Sequence, residues 1–160
     1  MIEVYQQDGI SLFDLVAKAL KEQLNLESRN AGFFALPADA HDPARRQYDA
    51  KRIIEILMAK NISKSDFKLG IIDVDIYTQG MNFIFGLAEP LKRTALVSIH
   101  RLKGNRISER MAKEVVHETG HLIGLAHCSD PKCVMYFSNI INDTDNKQMG
   151  LCQNCGVKIE

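Results

Sequence analysis

The sequence predicts a mixed α/β (α+β) fold. It is a mostly parallel, twisted sheet with one antiparallel edge strand, a long helix against it and a metal-stapled C-terminal tail. Three observations predict this. β-patterned stretches alternate with amphipathic helical ones through the first half of the chain. Two further strand patterns joined by a turn supply the antiparallel edge, and one long helical pattern then leads into a tail that carries all four cysteines.

In order along the chain, "IEVYQ" reads as a first strand and "DLVAKALKEQL" as a helix with Leu15, Ala19 and Leu24 on its apolar side, away from Lys18, Lys21 and Glu22. "AGFFALP" reads as a second strand. "RQYDAKRIIEILMAK" follows as a second amphipathic helix whose apolar set holds Tyr48, Ile53, Ile56 and Leu57. "KLGIIDVDIYT" is a third strand, in which Asp73 and Asp75 alternate onto a polar face or end. "NFIFGLA", the turn-like "EPLKR" and "TALVSIHRL" make a hairpin. "NFIFGLA" reads either as an exposed edge strand, free to pair with an extended peptide, or as a plain core strand. From Ile107 to Ala126 the pattern is helical, with Ser108 a candidate cap and Gly124 near the end.

With 160 residues and 46% hydrophobic content, residues 1–160 are expected to form one compact domain. Within it, 1–126 would hold the sheet and helices, and 127–160 the tail. Twenty basic residues balance twenty acidic ones, which gives no general field for nucleic acid or an anionic membrane. The start lacks a basic segment followed by an apolar run, and no long apolar stretch follows, so a cytoplasmic monomer with a small-molecule or peptide partner is expected. In such a setting four cysteines point to metal ligands or thiolates before disulfides.

The long helix carries the chemistry. With His117 at zero and about 100° per residue, His121 falls near 40° and Gly124 near 340°, while Met111, Ala112, Val115, Val116, Leu122 and Ile123 fall between roughly 120° and 260°. The histidines therefore face away from the apolar arc, toward a cleft. Imidazoles one turn apart converge on one ion about 2 Å from each nitrogen, and Glu118, near 100°, borders that site without being a ligand. His127 would lie near 280° on a continued helix, so its joining the pair requires a sharp bend, which glycine at 124 permits by taking positive φ. Three neutral imidazoles leave a zinc ion with an open position for water. His41 in "DAHDPARRQY" and His100 in "VSIHRL" have no such setting and read as surface or structural histidines.

"HETGHLIGLAH" matches the H-E-x-x-H-x-x-G-x-x-H pattern of the metzincin metalloproteases at every specified position. The continuation "HCSDPKCVMYF" and the closing "LCQNCG" narrow the resemblance to the archaemetzincins, or archaelysins. It implies a metzincin-like fold, a catalytic zinc on His117, His121 and His127, and a second zinc on Cys128, Cys133, Cys152 and Cys155. It also implies that Glu118 takes a proton from the attacking water and passes it to the leaving amine, and that Met135 lies in a turn beneath the zinc without binding it. Some metzincins carry a zinc-reaching tyrosine two residues after that methionine, whereas here Phe137 holds the place. Tyr136 is therefore read as a packing residue.

The cysteine spacing supports the second site independently. Two close pairs brought together by a loop can supply four thiolates to a tetrahedral ion with no water position. Disulfides and a redox C-x-x-C are the alternatives. The tail "YFSNIINDTDNKQMG" is short of apolar anchors, so a zinc staple is expected to hold it. The resulting expectation is a zinc-dependent metallopeptidase with two zinc ions per chain. Against it stands a non-catalytic zinc-binding interaction protein of the same fold, and Glu118 weighs against that alternative because ligation alone does not need it.

Overall fold

The structure is a computed structural model and describes residues 1–60 and 67–160. Its main sheet contains β1 (Ile2–Gln7), β2 (Ser28–Phe34), β5 (Phe67–Ile72), β7 (Gly86–Glu89) and β8 (Thr94–Ser98), in the order β2-β1-β5-β8-β7. Pairings are parallel except β7 with β8, which is antiparallel and places β7 at the edge. This is the expected architecture, and the hairpin turn is a short 3-10 segment, Pro90–Lys92, closed by Arg93 at φ 52°.

The sheet is covered on both faces, so its central strands read as continuous apolar runs instead of alternating ones. One core joins Ile2, Val4, Leu69, Ile71, Ala95 and Val97 to helices α1 (Phe13–Leu24) and α3 (Ile107–Leu122). The opposite core joins Tyr5, Ile72 and Leu96 to α2 (Ala50–Met58). At Gly70 a Cβ would collide with Leu57, so the glycine lets α2 seat directly on the sheet.

Several sequence expectations shift. On α1 the buried face is Val16, Ala19, Leu20 and Leu24, while Leu15 is 41% exposed. The helix begins at Phe13, so the face turned to the sheet is one residue round from the one expected. The second helix is shorter than its pattern. Tyr48 lies in β4 (Gln47–Asp49), and Asp49 caps α2 by accepting a hydrogen bond from Lys51 N at 3.1 Å. The third strand stops at Ile72, and β6 (Ile76–Tyr77) joins β3 (His41–Asp42) and β4 in a small second sheet. Asp73 and Asp75 thus stand after the strand, where Asp75 binds Arg101 Nε and Nη2 at 2.7 and 2.8 Å. Ser108 does not cap α3, because the N-cap is Arg106 and Ser108 lies inside the first turn.

Among the described residues, no helix is long and apolar enough to cross a membrane. After α3 the chain forms the loops of residues 123–140, then the short helices α4 (Ile141–Asn146) and α5 (Gln153–Gly156).

Candidate active site

Helix α3 packs between the sheet and the tail, and its residues from Met111 to Gly120 are all buried. The histidine side of the helix faces a cleft, as expected, lined by Gly86, Leu87, His117, Glu118, His121 and His127 among others, with a volume of about 550 Å³. Residues 134–137 and α4 close over the rest of that side, so the helix is buried more completely than an amphipathic pattern implies.

The helix ends in a Schellman arrangement. Gly124 takes φ +105°, its N–H reaches His121 O at 3.1 Å, and Leu125 N–H reaches Gly120 O at 2.9 Å. That bend brings the Leu125 carbonyl back under the helix, where it accepts a hydrogen bond from His121 Nδ1 at 2.8 Å. It also brings His127 beside the helical pair, with ring centroids 5.3 Å from His117 and 4.7 Å from His121. The three ligand-capable nitrogens lie within 4.8 Å of one another.

The ring orientations define the donor set. His117 Nδ1 donates to Val134 O at 2.8 Å and His121 Nδ1 to Leu125 O at 2.8 Å. A carbonyl only accepts, so both Nδ1 atoms carry the proton and both Nε2 atoms present a lone pair. Those Nε2 atoms are 3.2 Å apart. Two nitrogens bound to one tetrahedral zinc at about 2.05 Å stand about 3.3 Å apart. Burial lowers the proton affinity of all three histidines, and it holds His117 well below the ordinary value, with the Lys147 cation adding to the effect. The rings are thus held in the neutral form that binds metal, and the residues fit a zinc ion.

Glu118 lies on the cleft wall, 6% exposed, against the main chain of β7. A Cβ at Gly86 would stand 2.8 Å from its Cγ and its Oε1, so only glycine leaves room for this carboxyl. Burial pushes the Glu118 carboxyl well above its ordinary value, the Glu114 carboxylate adds to this, and Lys147 opposes it.

Met135 is fully buried in the turn Cys133–Tyr136, closed by Tyr136 N–H to Cys133 O at 3.0 Å. Its sulfur lies under α3 so closely that a Cβ at Gly120 would be 2.5 Å away. Phe137 packs at 5.1 Å from the His127 ring, and Tyr136 is half-buried.

Cys128, Cys133, Cys152 and Cys155 bring their sulfurs together as a second cluster. Cys128 and Cys152 Sγ are 3.8 Å apart, far beyond a disulfide and close to the ~3.8 Å that two thiolates take at about 2.3 Å on a tetrahedral zinc. Backbone N–H groups of Asp130, Met135 and Cys152 point at these sulfurs at 3.3 to 3.4 Å. Bonding to the Cys155 backbone lowers Cys152 to about 7, whereas burial pushes Cys155 up to about 12. Four thiolates together need a cation among them, and this donor set also fits zinc. Cys128 N–H bonds Met135 O at 3.0 Å, which ties the two clusters through one turn.

His41 packs at a tilt against the Tyr48 ring, centroids 4.8 Å apart, and His100 lies 3.7 Å from Asp73, both exposed and away from either cluster. Sequence reasoning missed Glu114, Lys147, Gly86 and the carbonyls of Leu125 and Val134. Glu114 had a signal, since one turn before Glu118 it falls near 60° on the histidine side. The carbonyls had none.

A model of the family described as peptidase family M54 matches residues 36–160. The archaemetzincin of Pyrobaculum aerophilum is 49% identical over 114 residues, covering 71% of this chain and 72% of that one. The crystal structure of archaemetzincin from Methanopyrus kandleri is similar with TM-score 0.90 and 32% identity, covering 99% of this chain and 93% of that one. A zinc-dependent peptidase from Methanocorpusculum labreanum is similar with TM-score 0.88 and 27% identity over the full length of both.

Proposed function

The chain belongs to peptidase family M54, and on that premise we propose that it is a metzincin-type zinc peptidase that hydrolyses peptide bonds in the cleft beside α3. His117, His121 and His127 would hold the catalytic zinc, and Cys128, Cys133, Cys152 and Cys155 a structural one, two ions per chain. The observation that carries this reading is the pair of unprotonated Nε2 atoms 3.2 Å apart, with the Glu118 carboxyl lining the same cleft.

When bound, zinc supplies Lewis acidity, polarising a carbonyl oxygen and lowering the pKa of water to about 7. Glu118 handles the protons. Its carboxylate takes one from the water that attacks the scissile carbonyl and delivers it to the departing amine nitrogen. An ordinary surface carboxylate is a weak base, and burial against Gly86 makes this one a stronger base. The edge strand β7 offers main-chain groups to an extended peptide, as a free edge does. Met135 supports α3 from below and makes no bond to the metal, and Phe137 packs against His127 at the cleft. The proposed partner is a peptide or protein met by a cytoplasmic monomer, and balanced charge leaves no general field to draw in nucleic acid or an anionic membrane surface.

Glu118→Gln tests the reading. The variant should keep its zinc and lose cleavage of a mixed peptide library. If wild type and variant were equally inactive on such a library, the chain would be a zinc-binding interaction protein instead.

A further inference from the structure

The tail is held by a buried polar junction that hydropathy does not foresee. The Lys147 side chain is fully buried and sits at the end of α4. Its Nζ lies 3.3 Å from Glu114 Oε1 and donates to Tyr136 O at 3.1 Å. Thr144 Oγ1 donates to the same Glu114 oxygen at 3.0 Å. One ammonium therefore links α3, one turn before His117, to the chain directly after Met135.

We infer that Lys147 is a positioning residue for the peptidase chemistry, acting through the Tyr136 carbonyl on the turn that orients His117 and borders His127. This rests on the peptidase reading above. The segment it grips is short and each residue has a task. Val134 O sets the His117 ring at 2.8 Å, Met135 packs under Gly120, and Phe137 packs on His127 at 5.1 Å. Among them, the Tyr136 carbonyl is the handle by which α4 reaches that segment. Stability alone gives no reason for such a lysine, because replacing a buried ion pair by well-packed neutral groups is often neutral or stabilising. What an apolar pair cannot do is hold a carbonyl at a set place. The groups that support metal-binding histidines act in this way, and their loss lowers affinity or turnover about 10- to 100-fold.

Removing one charge alone would leave the other buried and unpaired, and the chain would be damaged for that reason. The test therefore removes both. Lys147→Met with Glu114→Gln keeps the volumes and leaves Thr144 its acceptor. The expected result is a folded, zinc-bearing protein whose kcat falls about 10- to 100-fold with KM little changed. After brief chelation and loading of Co²⁺ at the histidine site, its visible absorption bands should also shift from those of wild type. Wild-type kcat and wild-type bands in the double variant would overturn the inference and leave the pair a structural brace. Should the double variant not fold, Thr144→Val loosens Glu114 more gently. A several-fold loss of kcat with a band shift supports the inference, and no change in either refutes it. If wild type itself cleaves no peptide, the peptidase reading fails, while the cobalt bands still report whether Lys147 orients the histidines.

Discussion

Gly86→Ala isolates the placement of Glu118, the proposed general base, without replacing a charged residue. A methyl at this position stands 2.8 Å from Glu118 Cγ, 2.8 Å from Glu118 Oε1 and 2.8 Å from Leu96 O. Ordinary carbon contacts start near ~3.5 Å, so something must yield by about 0.7 Å. Leu96 O belongs to β8, which is paired on both sides, by β5 and β7, and it cannot move alone. The edge strand β7 therefore shifts at residue 86 to relieve the Leu96 contact, and the Glu118 side chain moves to relieve its own. A misplacement of about 1 Å at a reacting group costs on the order of 100-fold in rate. Overpacking of this size also destabilises by about 1–3 kcal/mol, which lowers Tm by roughly 2–12 °C in a domain of this length. The assay is kcat and KM on a cleaved peptide, with zinc content and Tm measured on the same preparation. The expected outcome is near-wild-type zinc, a modest fall in Tm and a loss of kcat of about 100-fold. Full kcat would refute the reasoning, since it would mean that Glu118 does its work from a place other than the wall of β7.

Gly124→Ala puts a side chain where φ is +105°, which costs about 1–3 kcal/mol and displaces the Leu125 carbonyl from His121. Zinc affinity measured against a competing chelator should fall about 10- to 100-fold, and unchanged affinity would remove that carbonyl from the account. Under reducing conditions the protein should carry two zinc ions. Stripping both should expose four reactive thiols and open the tail to proteolysis, whereas one zinc with no titratable thiols would refute the cysteine assignment. Acid stability should depend on Asp145, which the Arg110 guanidinium holds below the usual carboxylate range through bonds of 2.8 and 2.9 Å. Because its folded value is lowered, its contribution is complete above the unfolded value near ~3.9 and is lost as pH falls through the folded one. Asp145→Asn should thus show a shallower fall of Tm below about pH 4 than wild type. An identical pH slope would exclude a contribution from this pair.

What the sequence disclosed and what it hid divide along a physical line. The candidate site was legible because His117, Glu118 and His121 lie about one helical turn apart or less, where sequence spacing is geometry, and because Gly124 is the residue type that positive φ demands. The antiparallel edge was legible because its turn is local. The helix boundaries near Tyr48 and Leu15 were not, since pairing of β4 with β6 and the entry angle of α1 are set by distant residues.

The supports of the site were hidden for a different reason. Val134 O, Leu125 O and Tyr136 O act through the main chain, and a carbonyl leaves no mark on residue identity. Lys113, Glu114, Thr144 and Lys147 are buried polar residues in segments whose composition resembles solvated surface. A tail short of apolar side chains was expected to need zinc to hold it. It is docked by the Arg110–Asp145 pair, by Lys113 on Thr144 O at 3.1 Å and by Lys147 on Tyr136 O. Apolar burial tolerates small shifts, whereas a buried ammonium on a carbonyl is costly to misplace, because the desolvated charge then lacks its partner. A polar junction therefore loses stability when the turn moves, and the turn that it grips is the one bonded to His117. The same chemistry that made this region unreadable from hydropathy gives the histidine cluster a rigid floor.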